Sequence, residues 1–177
     1  MRTIAHFVGT ILALVLMSAC ARSSATQPTS TATNIPPTVA VSTPTPDIGA
    51  ELARQEAIWQ RHNIRNYRYQ LMVGCFCPMN ATMPITVEVR DGAVVSLTDA
   101  NGAPVALNDP GNGFFMQYTT IPGIYAALAT AEFRAADTLT VTYDSTYGFP
   151  SEMSADFIEM AVDDELYLSV SAFTPLQ

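Results

Sequence analysis

The sequence predicts an α+β fold in which helices pack on a mainly antiparallel sheet. Apolar residues at helical spacing precede runs that alternate with period two, and the order of one helix followed by three strands occurs twice. We therefore expect two α-β-β-β halves, preceded by a signal peptide and a disordered linker. The predicted organisation is a signal peptide over 1–19, a lipidated cysteine and Ser/Thr/Pro-rich linker over 20–47, and a single domain over 48–177.

The N-terminus has the features of a bacterial export signal. Arg2 precedes an apolar run, Ile4–Met17, that is too short to span a bilayer comfortably. The run ends in Leu16-Met17-Ser18-Ala19-Cys20, which resembles a lipobox. We expect a bacterial lipoprotein in which Cys20 carries diacylglycerol and an amide-linked chain such as palmitate, anchoring it on the extracytoplasmic side of the cell membrane. The alternative, an ordinary secretory signal with a chance cysteine, also exports the chain.

The segment Ala21–Pro46 is dominated by Ser, Thr, Ala and Pro and has no periodic apolar face. Such composition favours an extended, disordered tether. We expect it to hold the domain away from the membrane surface.

Charge limits the classes of partner. The chain has 8 basic and 16 acidic residues, a formal net charge of −8, and every basic residue is arginine. Without a basic patch, binding to nucleic acid and electrostatic docking on anionic headgroups are both disfavoured. The expected partners are the membrane, through the lipid on Cys20, and an unidentified envelope protein or small ligand; no cofactor is expected.

The first half of the domain begins with a helix. Asp47 is a typical helix-capping residue, and apolar residues then recur at helical spacing as far as about Asn63. His62, near the end of this helix, is a candidate catalytic base or ligand, although packing or capping is the favoured interpretation. The residues that define the helical face are Ile48, Leu52, Ile58, Trp59 and His62.

Three strands follow this helix. The first runs from Tyr67 to Val73, with Met72 on the face opposite to its large apolar residues, and the second is centred on Val87. A three-residue loop with a left-handed Gly92, pairing Val87 with Val95, is favoured for the hairpin over a two-residue Asp-Gly turn that pairs Val87 with Ser96.

A polar loop, Asp99–Gly113, separates the halves. It offers oxygen ligands in principle, but no acidic residue stands at the twelfth position from Asp99, as an EF-hand requires, so a solvated loop is expected. The next segment, Phe114-Phe115-Met116, is either an exposed patch for a partner or packing ahead of a helix. The candidate oxygen ligands are Asp99, Asn101, Asp109 and Asn112.

The second half repeats the order of the first. Thr120 is expected to cap a helix that ends near Ala135. Three alternating segments follow, around Leu139–Tyr143, Met153–Phe157 and Leu166–Ala172. Sequence identity between the halves is weak, so a duplication is only suggested.

Several short segments resemble an uncharacterised bacterial family known as domain of unknown function 6174. The resemblance covers about Trp59 to Leu176, and it implies an exported protein and a fold but assigns no catalytic residue. Its segments are Trp59 ahead of Tyr67-Arg68-Tyr69, Cys75-Phe76-Cys77-Pro78, Val87–Val94, Thr120-Ile121, Val141–Asp144, Gly148-Phe149-Pro150, Asp156 and Asp163-Asp164-Glu165.

Cys75 and Cys77 are the only thiols besides Cys20. Residues two apart in a regular strand are too far apart for a disulfide, but Gly74 and Pro78 permit a local bend, so a structural disulfide is expected. A redox pair is a second possibility. A third is a Cu(I) site in which Cys75, Cys77 and Met79, with Met72 and Met83 nearby, supply soft sulfur ligands.

The densest acidic run is Asp163-Asp164-Glu165. These residues are candidate binding acids, and a solvated turn is the favoured alternative. No nucleophile, metalloprotease, phosphate-binding or dinucleotide motif occurs in the chain. The expected function is therefore a non-enzymatic binding or envelope-scaffold module. The alternative is a thiol-dependent copper-binding or redox protein.

Overall fold

A computed structural model describes residues 47–177 of the chain. The predicted signal peptide, the lipidation site Cys20 and the linker up to Pro46 lie outside the described residues.

The first helix, α1, begins and ends as its sequence predicts. It spans Ile48–His62, and the Asp47 side chain accepts a hydrogen bond from the Gly49 amide at 2.9 Å. Asn63 ends the helix in the left-handed conformation, with φ of 49°. Leu52 and Trp59 form its buried face.

Six strands form one sheet in which every neighbouring pair is antiparallel. The order across the sheet is β3-β2-β1-β6-β5-β4, so the first and last strands of the domain are central. This confirms the α+β fold class with helices on an antiparallel sheet. The strands are β1 (Tyr67–Cys75), β2 (Ile85–Arg90), β3 (Ala93–Thr98), β4 (Thr138–Tyr143), β5 (Pro150–Asp156) and β6 (Leu166–Pro175).

The two halves share their order of elements but are not related by a two-fold axis through the sheet. Such an axis, perpendicular to the sheet, would place the equivalent strands β1 and β4 side by side at the centre. Instead β1 pairs with β6, and β4 lies at the edge.

The predicted three-residue hairpin loop between β2 and β3 is wrong. Asp91 and Gly92 form a two-residue turn in which both have positive φ, 51° and 81°, the geometry that matches the twist of paired strands. The register then shifts at a bulge, so that Val87 pairs with Leu97 rather than with Val95 or Ser96. The bulge leaves Val95 half exposed and buries Leu97 opposite Val87.

The single helix predicted to run from Thr120 to about Ala135 is two helices. Thr120 caps α3 (Ile121–Leu128) through a hydrogen bond from Gly123, and Thr130 caps the separate α4 (Ala131–Arg134). The two helices are separate because Thr130 adopts an extended backbone conformation and its hydroxyl caps the second helix. A short helix, α2 (Gly113–Met116), follows a 3₁₀ turn at Pro110–Asn112.

Buried tyrosine hydroxyls connect the helical layer to one face of the sheet. Tyr69 donates to the Tyr118 carbonyl at 2.9 Å, and the Tyr67 hydroxyl accepts from the Ile121 amide at 3.1 Å. Burial raises the pKa of Tyr67 to about 12, so this hydroxyl stays neutral further into the alkaline range than an exposed tyrosine. Trp59 packs edge-on to Tyr67, with ring centroids 5.5 Å apart, so α1 and α3 lie on the same face.

Candidate functional site

A cleft of about 290 Å³ lies at the end of the sheet where β1 ends and β6 begins. Cys75 pairs with Leu166 there, so the cysteine segment Cys75–Cys77 and the acidic segment Asp163–Glu165 line the same cleft although they are far apart in sequence. Between them lie side chains from the helical layer. They include Phe114, Tyr118, Glu132, Phe133 and Phe157.

The cysteine segment forms a tight bend directly after β1. The Cys75 and Cys77 sulfurs are in contact, and their Cα atoms are 5.2 Å apart. The Phe76 side chain between them is 80% exposed. A backbone that was regular strand at this point would hold the two cysteines further apart, so the bend is what brings the sulfurs together.

The methionines do not converge on the cysteines as a group. Met72 lies on the outer face of β1, between the buried Leu71 and Val73, whereas Met79 and Met83 are partly buried against the core. This arrangement matches the ordinary use of methionine as flexible packing.

The acidic segment is only partly solvated. Asp163 and Glu165 are exposed, and Asp163 has a positive φ of 79°. Asp164 is half-buried, and its Oδ2 accepts a hydrogen bond from the Ile158 amide at 2.6 Å. Its Oδ1 is buried and has no hydrogen-bond partner among residues 47–177. The expectation of a simple solvated turn therefore holds for Asp163 and Glu165 but not for Asp164.

Every charged side chain that lines the cleft within the described range is acidic. Among residues 47–177, four carboxylates line the cleft and none of the lining side chains belongs to Lys, Arg or His. Within the described range, the two ion pairs join Arg54 to Glu51 and Arg90 to Glu88, and neither pair touches the cleft. The four carboxylates belong to Glu132, Asp163, Asp164 and Glu165.

Aromatic rings form the apolar wall of the cleft. Phe133 and Phe157 pack edge to face with centroids 5.3 Å apart, and Phe114 packs against Tyr118 at 6.1 Å. Within the Phe114-Phe115-Met116 segment, Phe115 is fully buried and packs in the core, whereas Phe114 is 39% exposed in the cleft.

An apolar loop, Phe157–Val162, adjoins the acidic segment. Its Ile158, Met160 and Val162 side chains are 62%, 92% and 82% exposed. The sequence predicts a strand that ends at Phe157 but makes no prediction for the rest of this loop. The three consecutive acids after Val162 are the signal that an exposed turn, rather than a further strand, follows β5.

The other candidate residues have structural roles outside the cleft. His62 is exposed, with its Nε2 2.9 Å from the Thr146 carbonyl oxygen and its ring packed against Tyr147. Asp99 accepts hydrogen bonds from the amides of Asn101 and Ala103, so it orders its own turn. Asp109 likewise caps the 3₁₀ turn by accepting from Gly111.

Asn112 corrects the expectation of a solvated loop. It is 2% exposed, and its Oδ1 accepts hydrogen bonds from the amides of Asn80 and Ala81 at 3.2 and 3.1 Å. Asn80 in turn donates to the Asp109 carboxylate at 3.3 Å. The segment that follows the cysteines is therefore held by the 3₁₀ turn.

Metal-binding clusters and membrane-spanning helices are both absent from the described part of the chain. Residues 47–177 contain no group of three or more His, Cys, Asp and Glu side chains placed to hold a metal ion. Among the same residues, no helix has both the length and the apolar character needed to cross a bilayer.

Comparison with known protein families gives one match. A family of unknown function, DUF6174, matches residues 51–175, which is most of the chain and nearly all of the described part. The chain belongs to this family. The cysteine segment, the acidic segment and all six strands fall within the match, so the cleft is built wholly from family sequence. No curated protein and no solved structure matches the chain.

Proposed function

We propose that this DUF6174 chain is a non-enzymatic binding module, tethered outside the bacterial cytoplasm by lipid on Cys20, and that the cleft is its binding site. The observation that carries the site is the convergence, at one end of the sheet, of exposed apolar side chains and carboxylates that form no ion pair within residues 47–177. Large exposed apolar groups next to a concave surface are typical of recognition sites.

The lipid anchor rests on the N-terminal sequence. The lipobox ends at Cys20, and 26 residues of Ser-, Thr- and Pro-rich sequence separate it from Asp47, where the described residues begin. A Cys75–Cys77 disulfide fits the same compartment, because exported domains are oxidised. Contact between the two sulfurs and the local bend support this pairing.

One mass-spectrometric experiment tests both modifications. Full-length protein, expressed in a bacterial host and purified from membranes, is expected to lack residues 1–19 and to carry a diacylglycerol-modified Cys20. Its Cys75–Cys77 peptide is expected to be two hydrogens short and to resist alkylation until reduced. A Cys20→Ser variant, the matched control, is expected to lose the lipid. Unmodified Cys20 in the wild-type protein would refute the anchor, and alkylation without reduction would refute the disulfide.

The copper-binding alternative needs both sulfurs free. A Cu(I)-binding pair would show alkylated cysteines in this experiment, and the alkylation would decrease after copper is added under mild reduction. A redox-active pair differs from a structural disulfide in its reduction potential, which is expected to be higher for an exchanging pair. The positions of the methionines do not support a sulfur cluster, because Met72 lies on the outer face of β1 while Cys75 packs against the core.

Photo-crosslinking in living cells tests the binding site. A benzophenone amino acid replaces Phe76, which is exposed at the cleft, or Val95, which is half exposed on β3. Val95 lies about 25 Å from the cleft along the strand direction, estimated from the rise per residue. We expect a discrete adduct from position 76 and none from position 95. The position-76 adduct should disappear when Phe114→Ala removes the ring at the cleft wall.

A further inference from the structure

We infer that the cleft binds a protein segment that inserts an arginine or lysine side chain and packs apolar residues against the loop Phe157–Val162. The inference rests on the proposed function and specifies the chemistry of the ligand. It is carried by three features of the same surface: carboxylates without basic partners, aromatic walls, and an exposed apolar loop.

The carboxylates of the cleft favour a cationic ligand. Exposed acidic residues ordinarily need no partner, but here Glu132, Asp163 and Glu165 border a concave volume together with the half-buried Asp164. A cation that enters this volume is attracted by all four carboxylates. The nearest arginine in sequence, Arg134, lines a separate groove with Ile48 and Leu139.

Asp164 adds an unmet acceptor. Its Oδ2 is satisfied by the Ile158 amide, but its Oδ1 is buried without a donor in the described structure. A buried carboxylate oxygen with no partner is costly, and charged N–H donors are the strongest partners it can gain. The Ile158 amide belongs to the apolar loop. A cation bound at Asp164 is therefore expected to affect the conformation of that loop as well.

The aromatic rings favour an organic cation over a metal ion. A guanidinium group is planar and weakly hydrated, so it stacks on an aromatic face while it donates to carboxylates. Phe76 and Phe114 present exposed rings at the mouth of the cleft, within the same lining as the acids. A hydrated divalent ion gains nothing from these rings.

The apolar loop selects a protein rather than a lipid bilayer as the carrier of the cation. Met160 and Val162 are more than four-fifths exposed, as a membrane-inserting loop requires. However, Glu159 lies between the apolar positions and three acids follow directly, and anionic headgroups would repel them. A partner with a basic residue among apolar ones complements both the charge and the apolar surface.

Peptide binding to the soluble chain, residues 21–177, tests this inference. Two pools of nine-residue peptides have random flanks and either arginine or citrulline at the centre; citrulline has nearly the same shape without the charge. We expect enrichment of apolar-flanked arginine peptides, with citrulline versions at least about tenfold weaker, and weaker binding as salt rises. Asp163→Asn with Glu165→Gln should weaken the selected peptide about tenfold.

The matched control is Asp91→Asn with Glu152→Gln, which removes the same two charges from exposed positions outside the cleft, the first of them in the hairpin at the opposite end of β1. It should leave affinity within about twofold, since distant exposed charges are screened. Equal loss in both double variants would overturn the inference, as would equal binding of citrulline peptides or no enrichment from either pool. Tighter binding of free agmatine than of any peptide, or binding to anionic vesicles instead, would also overturn it.

The outcome separates the two levels of the proposal. If the arginine pool fails while position 76 still crosslinks to a partner in cells, the cleft is a binding site for another chemistry and the proposed function survives. If neither experiment gives a specific product, both proposals fail.

Discussion

Replacing Trp59 by alanine is expected to remove about 3–5 kcal/mol from the free energy of unfolding, as is usual for a buried aromatic residue. Trp59 is 5% exposed, and its indole packs edge-on to Tyr67, Phe149 and Phe173, with centroids 5.5, 6.2 and 5.8 Å away. The four rings come from α1, β1, β6 and the residue just before β5, so one side chain joins the helix to both halves of the sheet. Urea unfolding followed by circular dichroism measures the loss.

Phe76→Ala is the control for this substitution. It also removes a large aromatic side chain, but one that is 80% exposed, so its cost should stay within about 0.5 kcal/mol. A Trp59→Ala variant that loses less than about 1.5 kcal/mol would show that the indole is not central to the core.

Asn112→Ala is expected to cost about 2 kcal/mol and to loosen the segment that follows the cysteines. The substitution leaves the partly buried amides of Asn80 and Ala81 without an acceptor. We expect hydrogen exchange at these two amides to accelerate at least about tenfold, while amides in the central strands change only through global stability. Because this segment follows Cys77, the photo-crosslink from position 76 should also weaken.

Two variants control for this effect. Asn112→Asp keeps the accepting oxygen and should retain most of the protection at the two amides. Asn101→Ala makes the same substitution at an exposed position of the same loop and should change neither stability nor exchange by more than a small amount. Unchanged exchange at Asn80 and Ala81 in Asn112→Ala would contradict the role of Asn112.

Local features of the fold could be predicted from sequence because they depend on neighbouring residues. Asp47 and Asn63 bound α1 by capping chemistry, and the alternation from Tyr67 to Val73 fixes which face of β1 is buried. The errors arose where a local choice is settled by tertiary packing. With a two-residue turn and no bulge, Leu97 would lie on the face opposite to Val87. The bulge at Val95 shifts the register by one residue and returns Leu97 to the core.

The cleft could not be predicted because it depends on strand order. Each of its two most specific segments is visible in the sequence, yet nothing in their periodicity indicates that β1 pairs with β6 and brings Cys75 opposite Leu166. Burial of Asn112 was missed for a similar reason. Asn112 lies in a Gly- and Pro-containing loop, where a polar residue is usually solvated. The two amides that donate to it lie about thirty residues earlier in the chain, and the sequence does not indicate this contact.

The comparison of photo-crosslinks from positions 76 and 95 in cells is the most direct test of the central claim, that the acidic and aromatic cleft is where this chain binds its partner. The account predicts an adduct of defined mass from position 76 that is lost in Phe114→Ala, and no adduct from position 95. An adduct from position 95 alone, equal yields from both positions, or a position-76 adduct unaffected by Phe114→Ala would contradict it.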